Sequence, residues 1–385
     1  MLVTTQRTSS VQGEDLLDGL EHLAQNSAAA GTSGEPVNVY EFDPTKDARW
    51  TELVARHPKA SVFHTSGWLK ALQRTYGYTP VAFSTSAPFQ DLKNALVFCH
   101  IDSWLTGSRL VSLPFSDHCE PICDTAEELN LLLRHLQAAM EQRKWKYLEV
   151  RPIHGNFEAS GDIMAFQPTA AFFLHRMDLR PTLDYVFRSL DKDSVQRRIR
   201  RAERVGLAEK CGRSDELLKE FYTLFIMTRR RHHLPPIPYA WFRNLIQAQG
   251  DALEIRMAYK DKTPIAAILT LQFRNTAYYK YGCSDKQFNK FGATPWLLWN
   301  AIASAKSKGA QEFDMGRTQE DNAGLLAFKN HWVHQPERLV YWKYPDSPAL
   351  VSFDRWKLTT AKRIFSYMPE KLLTISGRLI YRHIG

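Results

Sequence analysis

The sequence predicts an α/β (α+β) fold built from two tandem subdomains, each a mixed, mostly antiparallel sheet flanked by helices. Three observations lead there. The chain has 385 residues and 44% apolar content, enough for a large core and longer than the usual single domain. Strand-like and helix-like segments alternate along it rather than segregating into halves. The order of those segments in the first half also returns, at greater length, in the second.

Residues 1–36 are rich in Ser, Gln, Gly and Ala, the composition of a mobile arm. Over residues 37–170, "GWLKALQRTYG" reads as a helix and "PVAFST", "NALVFCHID" and "SRLVSLP" as strands. A long amphipathic helix over Ala126–Trp145 and the strand "KYLEV" follow. Over residues 171–346, helices around Pro181–Gly206, Asp215–His232 and Tyr239–Gln249 precede the strands "LEIRMAY", "PIAAILTLQF" and "TAYYKYGC". The short turns "KDKT" and "RN" make these a meander. A helix "TPWLLWNAIASAKSKG" then has Thr294 as its expected N-cap and Gly309 past its end. The strand "QEFDMG", a short helix from Asn322 and the strand "RLVYWKY" complete the unit. Three meander strands, a helix, a strand, a helix and a strand resemble the order of an acyl-CoA N-acyltransferase (GNAT-like) domain.

A formal net charge of +9 favours an anionic partner such as a phosphorylated cofactor, a polyprenyl phosphate, a nucleic acid or an acidic membrane surface. The five cysteines are odd in number and scattered, which argues for reduced thiols in a cytoplasmic setting. No run approaches the roughly 18 apolar residues of a spanning helix. The tail over residues 347–385 is basic and amphipathic, suited to docking on its own domain or to peripheral contact with an anionic membrane.

In "VQRRIRRAERVGL", Arg197, Arg200, Arg201 and Arg204 share one helix face, so an anionic partner or a solvated face must accommodate them. We take Arg197, Arg201 and Arg204 as candidate substrate-binding residues, with Tyr281 of "TAYYKYGC". A second basic cluster, Arg229–Arg231 with His232 and His233, sits where it complements a helix C-terminus. The loop "NKFGATPW" offers free backbone N–H groups at a helix start, with Gly292 and Ala293 as candidate cofactor-binding residues. No metal is expected, because His118, Cys119 and Cys123 find no fourth ligand at metal spacing.

Taken together, "SLPFSDHCEPICD", "LEVRP", "RRIRRAERVGL", "FDMGRT", "AFKNHW" and "RLVYWKY" resemble FemAB-like proteins of the GNAT superfamily, in particular the branch associated with exosortase/PEP-CTERM and exopolysaccharide clusters. The resemblance implies two GNAT-like subdomains with a substrate groove between them. It also implies transfer of an acyl or aminoacyl group to an amino group of a cell-envelope or exopolysaccharide precursor, phosphorylated or polyprenyl-linked. The co-substrate would be acyl-CoA or aminoacyl-tRNA, with no permanently bound cofactor; tRNA is then a partner and DNA is not. On this likeness Lys329 stabilises the oxyanion and Arg317 holds a substrate phosphate or carboxylate. The attacking amine must be neutral, and Asp314 at the strand end and Asp321 in the loop are the candidates to take its proton. The "QEDNAG" that follows Arg317 departs from the Gly-Thr-Gly-like turn of that branch. Two alternatives are an acetyl-CoA-dependent N-acetyltransferase acting on a small amine or amino sugar, and a non-catalytic module that binds a sugar or lipid precursor.

Overall fold

The computed structural model describes residues 38–154, 166–345 and 370–384. The N-terminal arm lies outside them, as does the first part of the tail. Strand β1 (Tyr40–Phe42) leads into helices α1 (Ala48–Arg56) and α2 (Ser66–Tyr76), then β2 (Thr79–Ser84), β3 (Leu96–Ile101) and β4 (Arg109–Val111). Helix α3 (Ala126–Arg143) and strand β5 (Leu148–Val150) follow. The start of α3 is set by a capping box, in which Thr125 Oγ1 accepts from the Glu128 N–H while the Glu128 carboxylate turns back to the Thr125 N–H.

Strand β6 (Gln167–Asp178) closes the first round, and the second begins after it. It is followed by α4 (Leu183–Ser189), a wider turn over Lys192–Gln196, α5 (Arg197–Val205) and β7 (Ala208–Gly212). Next come α6 (Asp215–Arg231), α7 (Tyr239–Gln249), β8 (Leu253–Lys260), β9 (Thr263–Phe273) and β10 (Thr276–Ser284). Helix α8 (Ala293–Ser307), β11 (Glu312–Gln319), α9 (Ala323–Asn330) and β12 (Glu337–Tyr344) complete the round, and α10 (Glu370–Ile384) ends the described chain. Acids in the first turn of α6 and Arg229–Arg231 in its last both complement the helix dipole.

The strands form one sheet in the order β1-β2-β3-β4-β5-β12-β6-β11-β10-β9-β8-β7. Pairing is antiparallel except for β4 with β5 and β10 with β11. In each half, therefore, a meander ends on a strand that pairs in parallel with the strand after a helix, α3 in one case and α8 in the other. The closing strands are exchanged. Strand β6 pairs with β11 of the second half, and β12 pairs with β5 of the first. The residue-170 boundary expected from sequence falls inside β6, so the covalent halves are hydrogen-bonded into each other at mid-sheet.

One core unites α1, α2, α6 and α7 with strands of both halves, through Trp50, Trp68, Phe221, Trp241 and Phe242. Trp68 and Trp241 meet edge to face at 5.2 Å. A second core packs α4, α5 and α8 on the second half, and a third packs α3 on the first. All five cysteines are free. Helix α10 docks on the domain: Tyr78 Oη donates to the Tyr381 carbonyl at 2.6 Å, and Arg109 Nη2 to the His383 carbonyl at 2.7 Å. No described helix is long and apolar enough to cross a membrane.

Candidate functional site

The site begins as a defect in the sheet. Strands β10 and β11 pair only over Thr276–Tyr278 and Glu312–Asp314. Each then irregularly shifts register against its outer neighbour, β10 at Tyr279–Tyr281 and β11 between Asp314 and Arg317. A bulge adds local twist and re-aims side chains, so the two parallel strands diverge. In β11 the bulge is made at Gly316, whose φ of 73° suits glycine. A Cβ there would stand 3.1 Å from the Asp117 carboxylate.

Between the diverging strands lies a cavity of about 1080 Å³. Tyr279–Gly282 form one wall and Met315–Arg317 the other, with Asp117 and Lys329 among the charged groups that reach it. Phe225, Leu234, Ile237, Leu325 and Phe328 make its apolar side. A smaller cavity of about 260 Å³ adjoins it at the start of α8 and shares Thr228, His232, Tyr279, Gly282 and Phe328 as lining.

Lys329 is carried by α9, whose Asn322 cap accepts from the Leu325 N–H at 3.2 Å. Asn330 ties the helix to β6 by a 2.9 Å bond to His175 Nε2. The lysine is 3% exposed. Its Nζ donates to the carbonyls of Gly316 at 2.8 Å and Arg317 at 3.0 Å. An ammonium has three N–H donors, so one is left for a ligand. Burial pushes its pKa down to about 8, partly countered by Asp117 and Asp314 and reinforced by Lys280 and Arg317.

Arg317 is still on β11, before the polar turn. Its guanidinium lies 4.1 Å from the centre of the Phe172 ring and 5.0 Å from that of Tyr341. The nearest carboxylate, Asp117, is 3.9 Å away. Among the described residues its side chain makes no hydrogen bond, so a flat, fixed set of donors faces the cavity. That geometry suits a phosphate or carboxylate.

Asp117 and Lys280 are the charged pair at the cavity that sequence reasoning missed. Lys280 Nζ donates to Asp117 Oδ2 at 2.8 Å across the joint between the two halves. Burial alone would raise the Asp117 carboxyl, but Lys280, Arg317 and Lys329 outweigh it and hold the pKa below the usual carboxylate value. Burial lowers Lys280, with Asp117 opposing. The segment bearing Asp117 is braced: Tyr341 Oη donates to the Asp117 carbonyl at 2.6 Å and Arg151 Nη1 to the Leu113 carbonyl at 3.0 Å. Leu113 and Phe115 adopt positive φ there, a local cost that bonded surroundings sustain. Two signals pointed to these residues: Asp117 lies in "SLPFSDHCEP", and Lys280 is a lone charge amid the aromatics of "AYYKYG".

Of the two expected proton acceptors, Asp321 lines the cavity, whereas Asp314 is buried beside it rather than on its lining. The Asp314 oxygens accept from the Gly316 N–H at 2.6 Å and meet His118 Nε2 at 3.0 Å. It therefore shapes the bulge and pins the 117–118 segment. Tyr281 does line the cavity, and its hydroxyl accepts from Trp241 Nε1 at 2.9 Å.

Arg197, Arg201 and Arg204 are not brought to the cavity. They sit on the exposed face of α5, where Arg197 pairs with Asp193 at 3.0 Å and Arg201 donates to the Lys290 carbonyl at 3.2 Å. The buried face of that helix is Ile199 and Ala202, which turns the arginines outward. Gly292 and Ala293 line the smaller cavity. Helix α8 starts two residues earlier than expected, with Gly292 rather than Thr294 at the N-cap and no side-chain cap. A side chain at Gly292 would collide with the Arg198 carbonyl, so packing against α5 accounts for this glycine. His118 and Cys119 face different partners, Asp314 and His64. Among the described residues, no group of three or more His, Cys, Asp or Glu is arranged to hold a metal ion.

Residues 191–330 match the acetyltransferase (GNAT) domain family. No curated protein sequence matches the chain. Among solved structures it is similar to FemX, with a TM-score of 0.64 and 14% identity over 82% of this chain and 99% of that one. It is also similar to the C-terminal domain of a putative lysylphosphatidylglycerol synthetase from Agrobacterium fabrum, at TM-score 0.51 and 15% identity over 79% and 92% of the two chains. A tandem GNAT protein from the clavulanic acid biosynthesis pathway aligns at TM-score 0.52 and 12% identity over 81% and 99%. The fold is that of the tandem GNAT proteins.

Proposed function

We propose that the protein is an N-acyltransferase of FemAB-like type, which moves an acyl or aminoacyl group to an amino group on a phosphorylated or polyprenyl-linked envelope or exopolysaccharide precursor. The observation that carries this is the placement of Lys329 and Arg317 on one cavity, one with a single uncommitted N–H and the other with an unbonded guanidinium. The similarity to the domain of a putative lysylphosphatidylglycerol synthetase favours aminoacyl chemistry and a lipid acceptor. On this reading the protein works in the cytoplasm, at the inner face of the membrane when the acceptor is lipid-linked.

The chemistry follows from the groups present. The acceptor's phosphate or carboxylate lies on Arg317, which brings its neutral amine to the donor carbonyl. The nitrogen bonds to the acyl carbon, and the carbonyl electron pair becomes an oxyanion opposite the free N–H of Lys329. Losing one such donor costs about 3 kcal/mol in the barrier. Collapse expels the CoA sulfur or the tRNA ribose oxygen, which takes the proton shed by the amine. Asp117, which lines the cavity together with Asp321, accepts a hydrogen bond from the amine and relays that proton.

A second reading, an acetyl-CoA-dependent N-acetyltransferase on a small amine or amino sugar, draws on the adjoining pocket at the start of α8. The test offers labelled acetyl-CoA, long-chain acyl-CoA and charged tRNA with amino-sugar nucleotides and polyprenyl-phosphate amino sugars as acceptors. Transfer by wild type, lost in Lys329→Ala with acceptor binding kept, supports the proposal. Transfer from acetyl-CoA to free amines alone favours the second reading. Acceptor binding without transfer from any donor leaves a non-catalytic binding module and rejects both.

A further inference from the structure

We infer that the Ser103–Thr106 turn and α10 together form a docking surface for an anionic lipid bilayer, which extends the membrane-side reading above by naming the face that makes contact. Trp104, Leu105 and Leu379 are 87%, 55% and 60% exposed. They belong to one patch. The Trp104 ring packs edge-on against His383 at 5.8 Å, and Leu379 lies one helical turn before His383 on the same side of α10.

The patch is built, not floppy. Ser103 Oγ and His383 Nδ1 are 2.8 Å apart, and Thr106 Oγ1 donates to the His383 carbonyl at 3.1 Å. With the bonds of Tyr78 and Arg109 to α10, these hold turn and helix in fixed register. Two features specify the occupant. The sequence of α10 carries Lys371, Arg378 and Arg382 against the single acid Glu370, an excess that complements an anionic surface. The apolar part exposes a tryptophan, the side chain that favours the headgroup region. Its three apolar side chains expose on the order of 400 Å², against roughly 800 Å² per partner for a stable dimer. A bilayer needs no such area, since shallow apolar insertion and charge attraction act together. Helix α10 also packs outside the loop after α6, because Tyr381 Oη donates to the Pro235 carbonyl at 3.2 Å. Leu234 and Ile237 of that loop line the large cavity, so the surface adjoins the cavity wall.

The test sediments the full chain with vesicles of phosphatidylcholine alone or mixed with phosphatidylglycerol. Binding to the mixed vesicles only is expected, weakened by high salt and reduced roughly tenfold or more in Trp104→Ala/Leu105→Ala. That variant removes exposed side chains, so its thermal unfolding and its transfer to a soluble amino-sugar acceptor stay at wild-type levels. Arg382→Glu, also at an exposed position, loses the preference for anionic lipid. The inference is overturned by no vesicle binding, by binding indifferent to lipid charge, by unchanged binding in both variants, or by a dimer that Trp104→Ala/Leu105→Ala dissolves. Vesicle binding by a wild type that transfers no acyl group would refute the catalytic reading and leave this one standing.

Discussion

Lys329→Met removes a charge that folding has to desolvate, and its effect should depend on pH in a direction fixed by the site. In water a lysine titrates near 10.5, and in the fold Lys329 is pushed down to about 8. The difference of about 2.5 units corresponds to about 3 kcal/mol at 1.36 kcal/mol per unit. Between these two values the unfolded chain holds a proton that the folded chain has released. Wild-type stability therefore gains about 3 kcal/mol from this residue as pH rises from about 8 to 10.5, and the gain is absent below pH 8. Methionine keeps the volume but leaves the Gly316 and Arg317 carbonyls without their donor, at about 1–3 kcal/mol each. That penalty shifts the variant's curve without giving it this slope. Urea unfolding of both proteins from pH 7 to 10.5, with the stability difference plotted against pH, isolates the lysine from titrations common to both. Parallel curves would show that Lys329 is not a buried ammonium and would refute the electrostatic picture of the cavity floor.

Arg317→Ala should weaken binding of a phosphorylated acceptor about 10- to 100-fold, as a lost charge-assisted contact does, whereas Arg197→Ala leaves it unchanged; titration calorimetry separates the two. Asp117→Asn strands Lys280 in the joint between the halves, and breaking such a buried pair costs about 3–5 kcal/mol, measurable as a lower urea midpoint. Trp68→Ala opens a void against Trp241 and should cost about 3–5 kcal/mol; a loss below 1 kcal/mol would mean that this core does not tie the two halves together.

Much of the fold was legible because it is written in local pattern. The strands of "LEIRMAY", "PIAAILTLQF" and "TAYYKYGC" appear as β8, β9 and β10, and "GWLKALQRTYG" as α2. Strand β6 was not read because its apolar residues run together as "AAFFL" and its place between β12 and β11 is set by long-range pairing. The exchange of β6 and β12 is a long-range pairing, which no local window reports. Helix α1 and the edge strand β7 were also missed; β7 reads "AEKCG", mostly polar, and its pairing comes from β8 alone. Lys329 and Arg317 stand out in sequence because they lie in the distinctive "FDMGRT" and "AFKNHW" segments, and both line the cavity. Asp117 and Lys280 become partners only when the two halves meet, 163 residues apart in sequence. The arginine face of α5 misled for a simple physical reason: shared helical spacing says that charges lie on one face, but the burial of Ile199 and Ala202 decides which way it points.

The most direct test of the acyl-transfer account compares wild type with Lys329→Met in single-turnover transfer to the acceptor identified in the donor screen, at saturating acceptor. The account predicts a rate lower by about two orders of magnitude or more, with acceptor affinity kept within about twofold. An unchanged rate, or a loss confined to acceptor affinity, would contradict it.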